Sequence, residues 1–267
     1  MGLFKAGKKE EGYRCTQYAL FDGIEFDPEV FIHGFEEDWG AKLDIEIRNE
    51  DKIKFLHFNI DKIQFVCSFM KSKYPDNSPI EAARRNPFWK EVEECVENHK
   101  TFMIVAILKN ECLDQIKTCS IFTQVCCSFM RLANALCMYN ADAGLVIEKN
   151  SYRNYMYIMK AAREHNDYYF PYQNWININY IREENGEIGA FTTGLNMFNM
   201  LEIELVHVKY EVEIMQKIIN TILFCIIMDN KTLESGQLIK LEEGIEIITK
   251  QAKGYYINDR EVMHIIY

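Results

Sequence analysis

The chain has 267 residues, of which 48% are hydrophobic and 26% charged, with 13 glycines and 5 prolines. That composition builds a globular core and excludes a disordered acidic chain, a collagen-like repeat and a proline-rich recognition tract. A formal charge of −10 sets net repulsion against any nucleic acid, and no stretch supplies a basic face: Lys5, Lys8 and Lys9 run into Glu10 and Glu11, and Arg84 and Arg85 stand by themselves.

The start of the chain, Met1 to Lys9, is basic but precedes no apolar stretch of signal-peptide length, which points to the cytoplasm. Gly2 does not complete a myristoylation motif, because Ala6 stands where serine or threonine is needed. Tyr18 to Phe21 then reads as a strand, and Asp27-Pro28-Glu29 supplies an N-cap, a first-turn proline and an early acid for a helix reaching Trp39. Alternating runs at Leu43–Ile47 and Lys54–Ile60, followed by Ile63–Met70, predict three strands. Lys71 to Asn86 is a loop with a helical turn, and Pro87 opens a helix carrying Phe88, Val92, Cys95, Val96 and His99 on one face. Phe102–Leu108, apolar throughout and bounded by polar residues, has the pattern of a strand buried on both faces.

Nine cysteines are present, so at least one has no partner within the chain. Cys112, Ile116, Cys119, Phe122, Cys126, Phe129, Ala133 and Leu136 recur at steps of three and four, which predicts one helix across 111–139 with cysteine serving as a small hydrophobe. No CxxC-type spacing supports a metal site, and neither a metal nor another cofactor is expected. A short strand at Gly144–Glu148 leads to a helix over Ser151–His165 with Tyr152, Tyr155, Met156 and Met159 facing inward. Within Trp175–Thr193 two alternating runs flank Asn185-Gly186, the signature of a type I′ hairpin. Leu201–Val208 follows as a strand, and Glu211–Met228 as a helix with Met215, Ile218, Ile219, Ile222, Leu223 and Ile226 in one stripe. The apolar stretch within it, Ile218–Met228, is far short of the ~20 residues that cross a bilayer, so no membrane partner is expected. Strands at Leu238–Leu241, Glu246–Thr249 and Val262–Tyr267 end the chain.

This order predicts the α+β class: a two-layer arrangement of a mixed sheet, or of two joined sheets, with helices packed on one face. The first hundred residues follow a ferredoxin-like, split βαβ order with one extra strand. The whole, 1–267, reads as a single compact unit or as two intimate halves near 13–148 and 149–267.

Asn86-Pro87-Phe88-Trp89-Lys90-Glu91, with Asn98-His99-Lys100-Thr101 and the apolar strand behind it, resembles the amino-terminal half of bacterial proteins carrying domain of unknown function 4261. Phe191-Thr192-Thr193-Gly194-Leu195-Asn196-Met197-Phe198, with Glu202 and Glu204 after it, resembles the signature of that domain, which would cover about 190–267. Asn199 stands where glycine follows in the family, and Glu234-Ser235-Gly236 replaces an Asp-Gly pair. The resemblance implies a bacterial cytoplasmic α+β protein and carries no catalytic residue with it.

The common nucleotide-binding, hydrolase and zinc-protease motifs are missing from the sequence. Its histidines, His33, His57, His99, His165, His207 and His264, are scattered singly. Glu36-Glu37-Asp38 beside Trp39 and near His33 is an acid–base constellation in composition, although consecutive acids on a helix diverge and form a solvated face. His99 is placed either to cap its own helix or to meet a partner from another element. The segment Thr193–Leu201, apolar and flexible at Gly194, reads either as a binding surface or as chain buried against the next strand. Two functions stay open. The first is a non-catalytic interaction, adaptor or neutralising module that presents an acidic surface to a basic protein; the second is an enzyme on a small molecule, its site assembled from distant residues such as His99, Glu36 and an exposed cysteine.

Overall fold

The computed structural model describes residues 12–50, 53–184, 186–208, 211–241 and 244–266. The charged start from Lys5 to Glu11, Asn185 of the hairpin and the side chain of His207 lie outside the described residues. In chain order the elements are β1 (Thr16–Phe21), α1 (Pro28–Trp39), β2 (Ile45–Glu50), β3 (Ile53–Ile60), β4 (Ile63–Met70), α2 (Ser78–Arg84), α3 (Val92–Glu97), β5 (Thr101–Asn110), α4 (Gln115–Phe129), β6 (Ala135–Asn140), β7 (Leu145–Glu148) and α5 (Lys149–Glu164). They continue with β8 (Asn177–Arg182), β9 (Ile188–Thr193), β10 (Ile203–Val208), α6 (Val212–Leu223), β11 (Leu238–Lys240), β12 (Glu246–Lys253) and β13 (Glu261–Ile266).

The protein is α+β, with two sheets: a seven-stranded one in the order β2-β3-β4-β5-β1-β6-β7 and a six-stranded one in the order β11-β12-β13-β10-β9-β8. The chain divides into two compact units, each assembled from separated segments. The first takes Met1–Pro75, Asn98–Met138 and Glu148–Met156; the second takes Asp76–Glu97, Tyr139–Ile147 and Tyr157–Tyr267. No helix among the described residues is long and apolar enough to cross a membrane.

In the first unit, α1 starts as its sequence dictates, with Asp27 Oδ1 accepting the Glu29 N–H at 3.0 Å and Pro28 in the first turn. Its buried face carries Phe31 and Phe35, and Phe31 lies flat on Phe129 of α4 with ring centres 4.2 Å apart. Beneath them Phe58 of β3 stacks on Phe65 of β4 at 5.3 Å. This aromatic layer is the core between the helices and the sheet. The split crossover is β5–α4–β6, with β1 between its two strands, whereas the sequence reading places such a unit within the first hundred residues. The reason is pairing order: β2, β3, β4 and β5 join as a continuous antiparallel meander, which leaves β1 to pair on the open side of β5.

Three helices differ most from the expected bounds, while strands such as β2 and β12 shift by a few residues. The helix expected from Pro87 begins at Val92, because Asn86 Oδ1 takes the Phe88 N–H at 3.0 Å in a local turn and the Phe88 ring stands edge-on to Tyr180. The cysteine-rich helix ends at Phe129 and not near 139; Ala135–Asn140 is strand β6, buried on both faces, where apolar periodicity cannot separate strand from helix. The α-helix expected to reach Met228 ends at Leu223 and continues as a π-helical turn over Phe224–Met228. The stripe it was predicted to bury, Met215 to Ile226, is buried.

In the second unit the expected hairpin joins β8 to β9. Its turn is closed by the Glu183 N–H to the Glu187 carbonyl at 2.8 Å and the Gly186 N–H to the Glu183 carbonyl at 3.0 Å. Gly186 is left-handed at φ +84°, as a tight hairpin turn requires; the turn type expected at Asn185-Gly186 involves Asn185, which lies outside the described residues.

Candidate functional site

The chemistry-bearing residues of the second unit gather where β9 passes into β10. Glu202 is almost fully buried; its Oε2 accepts from Thr192 Oγ1 at 2.7 Å and its Oε1 from the N–H groups of Gly194 at 2.9 Å and Asn196 at 3.2 Å. Thr192 Oγ1 in turn accepts the Ile203 N–H at 2.8 Å. This knot fixes the single 3₁₀ turn Leu195–Phe198. Gly194 is required there: its φ is +116°, and a Cβ would sit 2.2 Å from the Trp175 carbonyl oxygen.

Two residues on, Glu204 has no exposed surface. Its carboxylate accepts the N–H groups of Tyr255 at 2.8 Å, Tyr256 at 3.1 Å and Ile257 at 2.8 Å, and His264 Nε2 lies 3.2 Å from Oε2. A buried anion is tolerated because backbone donors replace water around it. The Tyr256 hydroxyl donates to Glu183, and burial together with that carboxylate pushes the phenol well above its usual range. Both glutamates of the sequence signature are thus anchors for loops.

What the anchored 3₁₀ turn presents is a cleft. Phe198, Asn199, Met200 and Leu201 face Ile226, Asn230, Lys231, Thr232, Leu233 and Met263 around about 340 Å³. A second cleft of about 330 Å³ shares Ile226, Lys231, Thr232 and Leu233 and extends along Thr221, Ile222, Cys225, Leu238 and Leu241. The strap Lys231–Leu233 therefore lies between two grooves of mixed lining, apolar at Ile226, Leu233 and Met263 and polar at Asn199, Gln237 and Lys240. The π turn shapes it, since the Asp229 N–H reaches the Phe224 carbonyl at 3.3 Å and the Lys231 N–H the Cys225 carbonyl at 3.1 Å; such widened turns recur at functional sites. Lys231 Nζ is held by Asp229 at 2.8 Å, so the groove lining carries little uncompensated charge.

The segment Thr193–Leu201 divides between the two readings open for it. Leu195, Met197 and Phe198 are buried, while Asn199 is exposed and Met200 and Leu201 are half-buried at the cleft. Sequence reasoning passes over Lys231–Leu233, whose only local signal is the polar pair Asp229-Asn230 that breaks the apolar run.

Other predicted residues fall in the first unit. His99 is buried, and its Nε2 accepts the Tyr74 N–H at 2.8 Å, so it fastens the chain after β4. Asp38 is buried and meets Arg131 at 2.8 Å, and Glu37 meets the same guanidinium at 2.8 Å, which ties α1 to the end of α4. Trp39 Nε1 donates to Ser128 Oγ at 3.3 Å across the same contact. Glu36 is half-buried and His33 exposed, with His33 Nε2 3.9 Å from Glu29 on its own helix. Tyr152 donates to Gln17 Oε1 at 2.8 Å inside the core, and Met156 is buried beside it on α5. An open cleft of about 600 Å³ is lined by Asp61, Glu111, Cys112, Leu113, Asp114, Lys117 and Ile121, with Lys117 paired to Asp61 at 3.4 Å. Among the described residues no three His, Cys, Asp or Glu side chains are arranged to hold a metal.

No disulfide joins any of the nine cysteines, and Cys15, Cys67, Cys119, Cys126, Cys127 and Cys137 are buried. Burial pushes the thiols of Cys67, Cys119, Cys126 and Cys127 well above the ordinary range, which makes them inert as nucleophiles. Brief treatment of the native protein with iodoacetamide, read by peptide mass spectrometry, should label Cys95, Cys112 and Cys225 and leave those four unmodified. Early label on Cys126 or Cys127 would contradict this burial.

No family model, no curated protein and no solved structure matches this chain.

Proposed function

We propose that the protein acts by binding another protein, and that its contact surface is the pair of grooves on either side of Lys231–Leu233. The observation that carries this reading is the open cleft of about 340 Å³ whose walls include Phe198, Met200, Leu201, Leu233 and Met263. Methionine and branched aliphatic side chains at a partly exposed groove adapt to an incoming apolar anchor. The formal charge of −10 selects the occupant: a basic segment bearing one or two apolar side chains, drawn in by the field of the whole molecule. The reading keeps the resemblance to bacterial proteins carrying domain of unknown function 4261, on residues 191–198 with Glu202 and Glu204, and the cytoplasm as the compartment.

The test is a tagged capture from the source cells with wild type, Met200→Asp and Leu233→Asp side by side, at low and high salt. A basic protein held in stoichiometric amount by wild type should be lost at high salt, and either substitution should weaken it at least about tenfold. Both positions are only half-buried, so thermal melting should stay close to that of wild type. Capture of the same protein by all three forms, or of acidic proteins alone, would overturn the reading.

A further inference from the structure

Strand β2 is the terminal strand of the seven-stranded sheet, so among the described residues one side of its backbone has no neighbouring strand. Five of its six residues, Glu46 to Glu50, are exposed. Such an edge is a template for another strand unless its side chains forbid it. We propose that the edge pairs with β2 of a second copy of this chain, antiparallel about a two-fold axis through Ile47.

Symmetry and charge select this register. In a continuous sheet a two-fold axis keeps each residue on its own face, so the paired positions must share a face, and only registers centred on a residue are allowed. Centred on Arg48, the ladder sets Arg48 against Arg48 and Glu46 against Glu50. Centred on Glu46, it sets Glu46 against Glu46. Centred on Asn49, it sets Arg48 against Glu50 but overlaps only the last three residues of each strand. Centred on Ile47, it sets Ile47 against Ile47, Glu46 against Arg48 twice, and Ile45 against Asn49. This last register combines unlike charges placed opposite each other with an overlap of five strand residues, and the like pair Asp44–Glu50 falls at its ends. Glu46 and Arg48 already share a face, with Arg48 Nη2 2.7 Å from Glu46 Oε1 and both side chains more than half exposed. In the pair each arginine gains a second carboxylate across the seam. Ile47, 38% exposed in one copy, meets its counterpart.

The experiment is sedimentation equilibrium of the full chain at up to about 100 µM, where mass action favours a weak dimer. Wild type should associate, and Glu46→Arg and Arg48→Glu should each weaken self-association by about tenfold or more, because each turns two attractive cross-strand pairs into repulsive ones. Mixing the two variants should restore the dimer: the introduced arginine of one chain then faces the introduced glutamate of the other, and the unchanged Arg48 faces the unchanged Glu46. The double reversal E46R/R48E should restore it in a single chain. Both substituted positions are on exposed surface, so circular dichroism should be the same for every form. A wild type that stays monomeric, or a mixture no more associated than its components, would overturn the proposal.

Discussion

Glu204→Ala should destabilise the second unit by about 3–5 kcal/mol, the range for removing one side of a buried charged network. The carboxylate has no exposed surface and holds three successive backbone N–H groups between Tyr255 and Ile257. Each buried donor left without an acceptor costs roughly 1–3 kcal/mol, offset in part where the loop opens to water. Glu204→Gln keeps the volume and one acceptor oxygen, so its loss should be smaller, and the difference between the two variants measures the charge. Urea unfolding monitored by far-ultraviolet dichroism gives both values. A loss below about 1 kcal/mol for the alanine variant would mean that the 255–257 loop holds its shape without the anion.

The second large effect belongs to the first unit. Phe31→Ala should cost about 3–5 kcal/mol, the usual range for emptying a fully buried aromatic site. Phe31 has no exposed surface, stacks on Phe129 at 4.2 Å, and lies 5.9 Å from the Phe58 ring and 6.3 Å from that of Phe35. Neighbouring rings cannot collapse into the space without leaving their own rotamers. Val30, its neighbour on the solvent side of α1, is 50% exposed, and Val30→Ala should change stability by no more than about 0.5 kcal/mol. Equal effects from the two substitutions would contradict the placement of the aromatic layer.

Much of the secondary structure was legible because single residues announce it. Asp27-Pro28 fixed the start of α1, the alternation from Leu43 to Met70 fixed three strands, and the stripe from Met215 to Ile226 fixed the buried face of α6. The misjudged boundaries share a physical cause, which is that the deciding contact is tertiary. Nothing local says that Phe88 lies against Tyr180, or that Ala135–Asn140 is covered on both faces and so forms a strand. Pairing order is non-local in the same way, which is why the split crossover belongs to β5, α4 and β6. The segment 193–201 was visible as apolar chain next to a flexible glycine, but its shape comes from Glu202 reaching back to the N–H groups of Gly194 and Asn196. Acidic residues look alike in a sequence. Glu36 ends half-buried at the surface of α1, whereas Glu202 and Glu204 end as internal anchors, and the difference lies in what packs above them.

The interleaving of the two units governs how this protein can be made. Helix α5 is shared: residues up to Met156 belong to the first unit and those from Tyr157 to the second. During synthesis every segment of the first unit has emerged once Met156 has left the ribosome, while Asp76–Glu97 and Tyr139–Ile147 must wait for partners translated later. A chain cut after Met156 keeps every segment of the first unit, whereas no single truncation point releases the second unit with all of its parts and nothing of the first. Splitting the gene after Met156 would therefore leave the second fragment without Asp76–Glu97 and Tyr139–Ile147, and complementation by the co-expressed first fragment, rather than independent folding, is the behaviour this chain order dictates for the second unit.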